Sequence, residues 1–266
     1  MCQLLGVSAA SPIRIRLSWQ RFALRGSELA GNPDGWGIVY GEHKNIQVLR
    51  EDSPAADSDL VKFLGAQGLL GSTIISHVRR ATMGDRTLVN TQPFSRAVGG
   101  RIHAFAHNGH IPGLESLTNP YLQPVGTTDS ERMFNKLLDL LVKASQEERV
   151  DAEGLLPLER RTAIISEFAE DMRSRGAANF LYFDGSTLFA HGHRKTLPGA
   201  ALSTEAGLYL LESPQGAQSG ALPCEGIDAS EACVGQSIIA TVPLDEQEWR
   251  PLAEGELVRI ENGVVV

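Results

Sequence analysis

A chain of 266 residues that is 42% hydrophobic and 21% charged is expected to fold as a globular protein. At that length it can bury roughly three quarters of the surface its unfolded form exposes. Its net charge of −8 argues against nucleic-acid and acidic-membrane partners, and basic pairs such as Arg79-Arg80 and Arg160-Arg161 are too short to reverse that. Three cysteines are too few for a disulfide scaffold, and no stretch approaches the roughly 20 apolar residues of a membrane span, so a soluble cytoplasmic protein is expected.

Strand-like runs dominate the first half. Residues 37–40 and 46–49 flank a Gly-Glu-His-Lys turn and predict a hairpin. The stretch 52–58 is a loop by composition. Residues 72–77 are β-branched and brief. From 101 to 107 the chain alternates, with Ile102, Ala104 and Ala106 on one face and His103, Phe105 and His107 on the other. A helix opens at Thr128, whose hydroxyl can cap while Glu131 completes a capping box; Met133, Phe134, Leu137, Leu138 and Leu141 then form an apolar stripe. Loop composition returns over 145–156. A second helix spans about 158–175, with Ile164, Ile165, Phe168 and Met172 on one face and Gly176 as its stop. Residues 180–183 and 188–191 bracket the turn dipeptide Asp184-Gly185. The stretch 212–236 is loop-like, with Cys224 and Cys233 expected as reduced thiols. Residues 257–260 and 264–266 bracket Asn262-Gly263. Strands, then helices, then strands predict an α+β fold of two antiparallel sheets with the helices outside, in a single domain over 1–266.

The residue with most chemical consequence is Cys2. If Met1 is removed, one residue carries both a thiol and a free α-amine, and an amine titrating at roughly 7.7–8.0 can accept the thiol proton near neutral pH. The histidines invite a metal. His103 and His107 share a strand face but lie about 13 Å apart at 3.3 Å per residue, and nothing at ligand spacing joins His191 and His193. No metal and no cofactor is expected.

Five segments are then taken together: Met1-Cys2-Gln3-Leu4-Leu5-Gly6, Asp34-Gly35-Trp36-Gly37, His77-Val78-Arg79-Arg80-Ala81-Thr82, His107-Asn108-Gly109 and Thr128-Asp129-Ser130-Glu131. In this order the chain resembles the class II glutamine amidotransferases, a branch of the N-terminal nucleophile hydrolases, and most closely the small stand-alone bacterial proteins of YafJ type. Asn90-Thr91-Gln92-Pro93-Phe94 fits the same pattern, and the resemblance extends to Thr241-Val242-Pro243-Leu244 and Trp249. It implies a four-layer α/β/β/α sandwich and hydrolysis of the glutamine side-chain amide by Cys2 through a γ-glutamyl thioester.

The resemblance also implies roles. Asn108 and Gly109, following a strand, would supply an oxyanion hole, although Asn-Gly is also the commonest of turn dipeptides. Arg79 would clamp the α-carboxylate of glutamine through two parallel hydrogen bonds. Asp129 would accept from its α-ammonium, although an acid at a helix start has a purely structural explanation too. Arg80 and Thr82 would line the same pocket. Asp34 to Gly37 would shape the turn beside Cys2, with Arg25-Gly26 paired to it. An aromatic residue is usual where Arg80 stands, and a polar one where Met83 stands. Two other readings stand beside glutaminase-type chemistry. One is a stand-alone amidohydrolase cleaving a γ-glutamyl conjugate, as in the ergothioneine pathway. The other is a glutamine sensor or regulatory subunit without turnover. An ammonia-accepting synthase would be a separate subunit.

Overall fold

A computed structural model describes residues 2–17, 32–81, 84–114, 119–196, 202–212, 227–229 and 235–266. In chain order the elements are β1 (Gln3–Leu17), β2 (Trp36–Glu42), β3 (Asn45–Glu51), α1 (Asp59–Gln67), β4 (Leu69–Val78), β5 (Phe94–Val98), β6 (Arg101–His110), α2 (Asp129–Glu147) and α3 (Leu158–Arg175). The remaining strands are β7 (Ala177–Phe183), β8 (Leu188–His191), β9 (Arg194–Thr196), β10 (Leu202–Ala206), β11 (Tyr209–Glu212), β12 (Ile227–Ala229), β13 (Gln236–Ala240), β14 (Arg250–Pro251), β15 (Leu257–Glu261) and β16 (Val264–Val265).

Apart from β9 and β10, which pair with each other as a two-stranded sheet, these strands make two large antiparallel sheets. One runs β14-β11-β13-β1-β4-β2-β3, with β12 also pairing with β1; the other runs β16-β15-β8-β7-β6-β5. Strand alternation gives each sheet two apolar faces, and that fixes the layering. Leu4, Val39 and Ile75 of the first sheet pack against Ala104, Ala106, Leu181 and Ala190 of the second, forming the inner core. On the outer face of the first sheet, Leu5, Trp36, Ile38 and Ile74 pack with Val61 and Leu64 of α1. On the outer face of the second, Phe105, Phe180 and Tyr182 receive Phe134, Leu137 and Leu138 of α2 and Ile165 and Phe168 of α3. The result is the four-layer α/β/β/α sandwich.

The local signals fare unevenly. Both expected helices form, and the Thr128 side chain caps α2 by accepting the Glu131 N–H. The reciprocal half of the capping box does not form, because the Glu131 carboxylate accepts instead from Val125 N–H and Gly126 N–H and pairs with Arg96. The 37–49 hairpin turns on only His43 and Lys44, since Glu42 pairs with Asn45. Asn262-Gly263 is a true two-residue turn with φ of 50° and 75°. Asp184-Gly185 opens a four-residue connection, whose Asp184 side chain accepts from Ser186 and Thr187 N–H. The helix α1, capped by Ser58, and the 15-residue β1 are found in addition. Most of 212–236, including Cys224 and Cys233, lies outside the described residues, as does Arg25-Gly26.

Candidate active site

Cys2 sits where β1 begins, half-buried, beside the end of β4. Register places Gln3 opposite Val78 and Leu4 opposite His77, so the chain leaving β4 passes directly over the sulfur. Arg80 N–H donates to Cys2 Sγ at 3.1 Å, and the thiol lies 3.2 Å from the Arg80 carbonyl. Burial pushes the Cys2 thiol above its ordinary range; the Arg80 N–H and the Arg79 guanidinium pull against that shift, while Asp129 adds to it.

The turn beside the cysteine is built from Asp34 to Gly37. The Asp34 carboxylate accepts from Ala81 N–H at 2.8 Å, and Arg79 N–H donates to Gly35 O at 2.8 Å. A side chain at Gly35 would meet Glu51 O at 2.8 Å, with φ at +117°, so the position requires glycine. At Gly37 an added Cβ would lie 2.4 Å from Gln92 O, so the 90–94 segment passes close against β2 there. These four residues thus anchor the 79–81 segment that covers the sulfur.

Asn108 and Gly109 do not follow a strand or form a turn. They lie within β6, paired with Asn179 and Ala178, and Asn108 shares its face with Ala104 and Ala106, between the sheets. From there Asn108 Nδ2 donates to the Cys2 carbonyl at 2.8 Å, joining the second sheet to the first residue of the site. Glycine is required next to it, since a Cβ on Gly109 would lie 1.9 Å from Ala177 O.

Gln92 holds this stretch of β6 in place. The ladder between β5 and β6 ends at the Phe94–Phe105 pair. Where the next pair would form, the Gln92 side chain takes both backbone groups of His107: Oε1 accepts from its N–H at 2.6 Å and Nε2 donates to its carbonyl at 3.2 Å. By the alternation of an antiparallel strand, the Gly109 N–H points to this same side of β6, which β5 has left. Asn179 fixes the other side: its Nδ2 donates to Asn108 O at 3.3 Å and to Arg194 O at 2.9 Å, and its Oδ1 accepts from His193 N–H. His107, on the helix face, donates from Nε2 to Ala177 O when its Nδ1 accepts from Ser130.

Arg79 and Asp129 are both buried and both act electrostatically on the Cys2 sulfur. Arg79 donates to the carbonyls of Gly84 (3.0 Å), Asp85 (3.2 Å) and Asp34 (3.4 Å). Asp129 accepts from Ile111 N–H and Ser130 N–H, with His110 Nδ1 at 3.4 Å. A substrate carboxylate or ammonium has to share these two groups with the backbone they now serve. Arg80 meets Cys2 through its backbone, and its side chain is exposed. Thr82 and Met83 lie outside the described residues.

Sequence reasoning passed over Asn179 and left Gln92 without a role. Asn179 carried one signal: it is the only polar, non-aromatic residue in Ala-Ala-Asn-Phe-Leu-Tyr-Phe, a wholly buried strand. Thr241 was noted as part of a motif; its Oγ1 accepts from Leu4 N–H at 2.7 Å and so steadies β1 two residues beyond the cysteine. Among the described residues no three His, Cys, Asp or Glu side chains gather as a metal site, and no helix is long and apolar enough to cross a membrane.

Comparison with known proteins bears on this arrangement. Residues 1–210 match the family model described as "Glutamine amidotransferases class-II". The chain is 30% identical to the Escherichia coli protein "Putative glutamine amidotransferase YafJ" over 96% of both chains. It is 28% identical to a Haemophilus influenzae protein of similar description, over 99% of this chain and 85% of that one. A crystal structure titled "predicted glutamine amidotransferase from Pseudomonas aeruginosa PA01" superposes with a TM-score of 0.68 at 27% identity, covering 100% of this chain and 99% of the other.

Proposed function

The chain belongs to the class II glutamine amidotransferases, and we propose that it hydrolyses the side-chain amide of glutamine through Cys2 once Met1 is removed. The observation that carries this reading is the contact of Asn108 Nδ2 with the Cys2 carbonyl, 2.8 Å long, beside the Arg80 N–H on the sulfur. Together the two contacts join three of the five sequence segments at one residue, Cys2.

In the proposed sequence the α-amine takes the Cys2 thiol proton, and the thiolate attacks the amide carbon. The oxygen gains the charge and is met by Asn108 Nδ2 and Gly109 N–H. The C–N bond then breaks, the α-ammonium returns its proton to the nitrogen, and ammonia leaves a γ-glutamyl thioester. Water attacks the thioester with the amine again as base, releasing glutamate and restoring the thiol. Burial raises the thiol, which is why a base beside it is assigned to the first step. Arg79 would hold the α-carboxylate and Asp129 the α-ammonium, while Arg80 and Thr82 line the pocket. A separate synthase subunit would take the ammonia, and the whole chain would serve as one amidotransferase domain.

Release of labelled ammonia from glutamine carrying ¹⁵N in its side-chain amide tests the proposal. Wild-type protein should release it, and Cys2→Ala should abolish release while keeping the fold. Turnover retained in Cys2→Ala would assign another nucleophile. A second reading, cleavage of a γ-glutamyl conjugate, is favoured by one observation: Arg80, whose backbone N–H meets the sulfur, has an exposed side chain. Protein inert toward glutamine but active on γ-glutamyl conjugates would replace the first reading with the second.

A further inference from the structure

A cavity lies at the far end of β6. It has a volume of about 230 Å³ and sits between α2, the start of α3, the 154–156 turn and the tip of the β5–β6 hairpin. Its walls are apolar, from Val98, Leu138, Leu141, Val142, Leu155 and Leu156. His103, on its floor, is five residues before Asn108, about 17 Å away at ~3.3 Å per residue. It faces the helices, whereas Asn108 faces the other sheet. The cavity is thus separate from the cysteine site.

The charges at its floor do not balance in the interior. The Arg101 and Arg161 side chains are 3% and 8% exposed, and Asp184, which pairs with Arg161, is 1% exposed. The partner of Arg101 is Glu153, whose side chain is 61% exposed. One fully buried carboxylate thus stands against two buried guanidinium groups, and the remaining countercharge comes from Glu153 at the surface and the half-buried Glu261, which accepts from Thr187. Arg161 uses Nε on Leu156 O and Nη1 on Asp184 and Thr187. A neutral His103, bonded to Tyr182, adds no charge of either sign. A cavity lined by two buried guanidinium groups and one buried carboxylate is matched by an added carboxylate, and its apolar walls by a hydrocarbon body. Space is sufficient, since an apolar cavity of about 150 Å³ already accepts benzene.

We propose that this cavity is a binding site for a small monocarboxylate with an apolar body. The carboxylate sits at the Arg161 and Arg101 guanidinium groups, and the body lies between Leu138, Leu141 and Leu155. Glu153 competes with the ligand for Arg101 from outside.

Calorimetric titration with 3-phenylpropanoate, and with 3-phenylpropan-1-ol as its uncharged counterpart, tests this without reference to the cysteine site. The acid should bind at least about tenfold more tightly than the alcohol, as expected when a charge-assisted bond replaces a neutral one. Glu153→Gln, an exposed change, should tighten the acid several-fold by removing the competitor. Leu141→Trp, or Val142→Trp at the more exposed neighbour should the first not fold, should fill the cavity and abolish binding. Equal affinity for acid and alcohol would overturn the proposal. So would absence of binding at millimolar acid, unchanged or weaker binding in Glu153→Gln, or undiminished binding in a folded tryptophan variant.

Discussion

At the scale of single residues, the site is a problem in holding one strand still. Asn108 is the proposed oxyanion donor, yet what keeps it on target is Gln92 on one side of β6 and Asn179 on the other. Removing Gln92 leaves two buried backbone groups of His107 unpaired and loosens the strand by which Asn108 is aimed. Gln92→Ala should therefore lower kcat for glutamine roughly tenfold to a hundredfold with little change in KM, short of the 10²–10³-fold loss typical of removing an oxyanion donor itself. Alkylation of Cys2 by iodoacetamide involves no oxyanion and should keep its rate. A parallel fall in alkylation would mean that Gln92 supports the cysteine and not the donor. Little of this was legible in sequence. Cys2 announces itself by position, and Asn108-Gly109 by dipeptide, but the dipeptide's usual meaning is a turn. It is a strand here because Ala177 and Asn179 run alongside, a tertiary fact with no local sign.

At the scale of elements, the signals that could be read were those generated within a few residues. The α2 start and the Asn262-Gly263 turn depend on short-range geometry, and both are found; the stop at Gly176 is found too, but its backbone is extended and glycine is needed there because a Cβ would lie 2.1 Å from His110 O. β1 could not be read the same way, because its Ser-Ala-Ala-Ser-Pro stretch has weak strand character. Its pairing with β4 and β13 makes it a central strand, with an irregularity between Ser8 and Ile13. The Glu131 half of the capping box was lost to a tertiary competitor, Arg96 together with the 125–126 backbone. Close approach of elements sets the strictest demands. Gly37 admits the Gln92 carbonyl against β2, so Gly37→Ala should destabilise the protein by about 1–3 kcal/mol through overpacking. Chemical denaturation measures this, and an unchanged midpoint would show that the 90–94 segment yields freely.

At the scale of the whole molecule, the two-sheet sandwich buries several histidines in their neutral form. His77, fully buried with neither ring nitrogen hydrogen-bonded, is pushed down to about 3 by burial, and His191 to about 4 for the same reason. The unfolded chain binds both protons near the ordinary value of 6.5, so it gains protons that the folded chain refuses. Stability is then complete above about pH 6.5 and falls as the pH drops toward 4, by about 1.4 kcal/mol per pH unit for each histidine. Denaturation midpoints should already be lower at pH 5 than at pH 7, before carboxylates protonate. Equal midpoints would mean that these rings are charged or relieved in the folded state. The class of fold was legible in the order of strands and helices, but the layering was not, because it depends on which face of each strand meets which sheet.

The central claim is that the sulfur and the nitrogen of one terminal residue act together. Two preparations test it most directly, one with Met1 removed by an aminopeptidase and one retaining it, each verified by intact mass and assayed for ammonia release from glutamine. The account predicts release from the processed protein and a rate lower by about 10²-fold or more in the other, the usual contribution of a positioned base. Equal rates in the two preparations would contradict it.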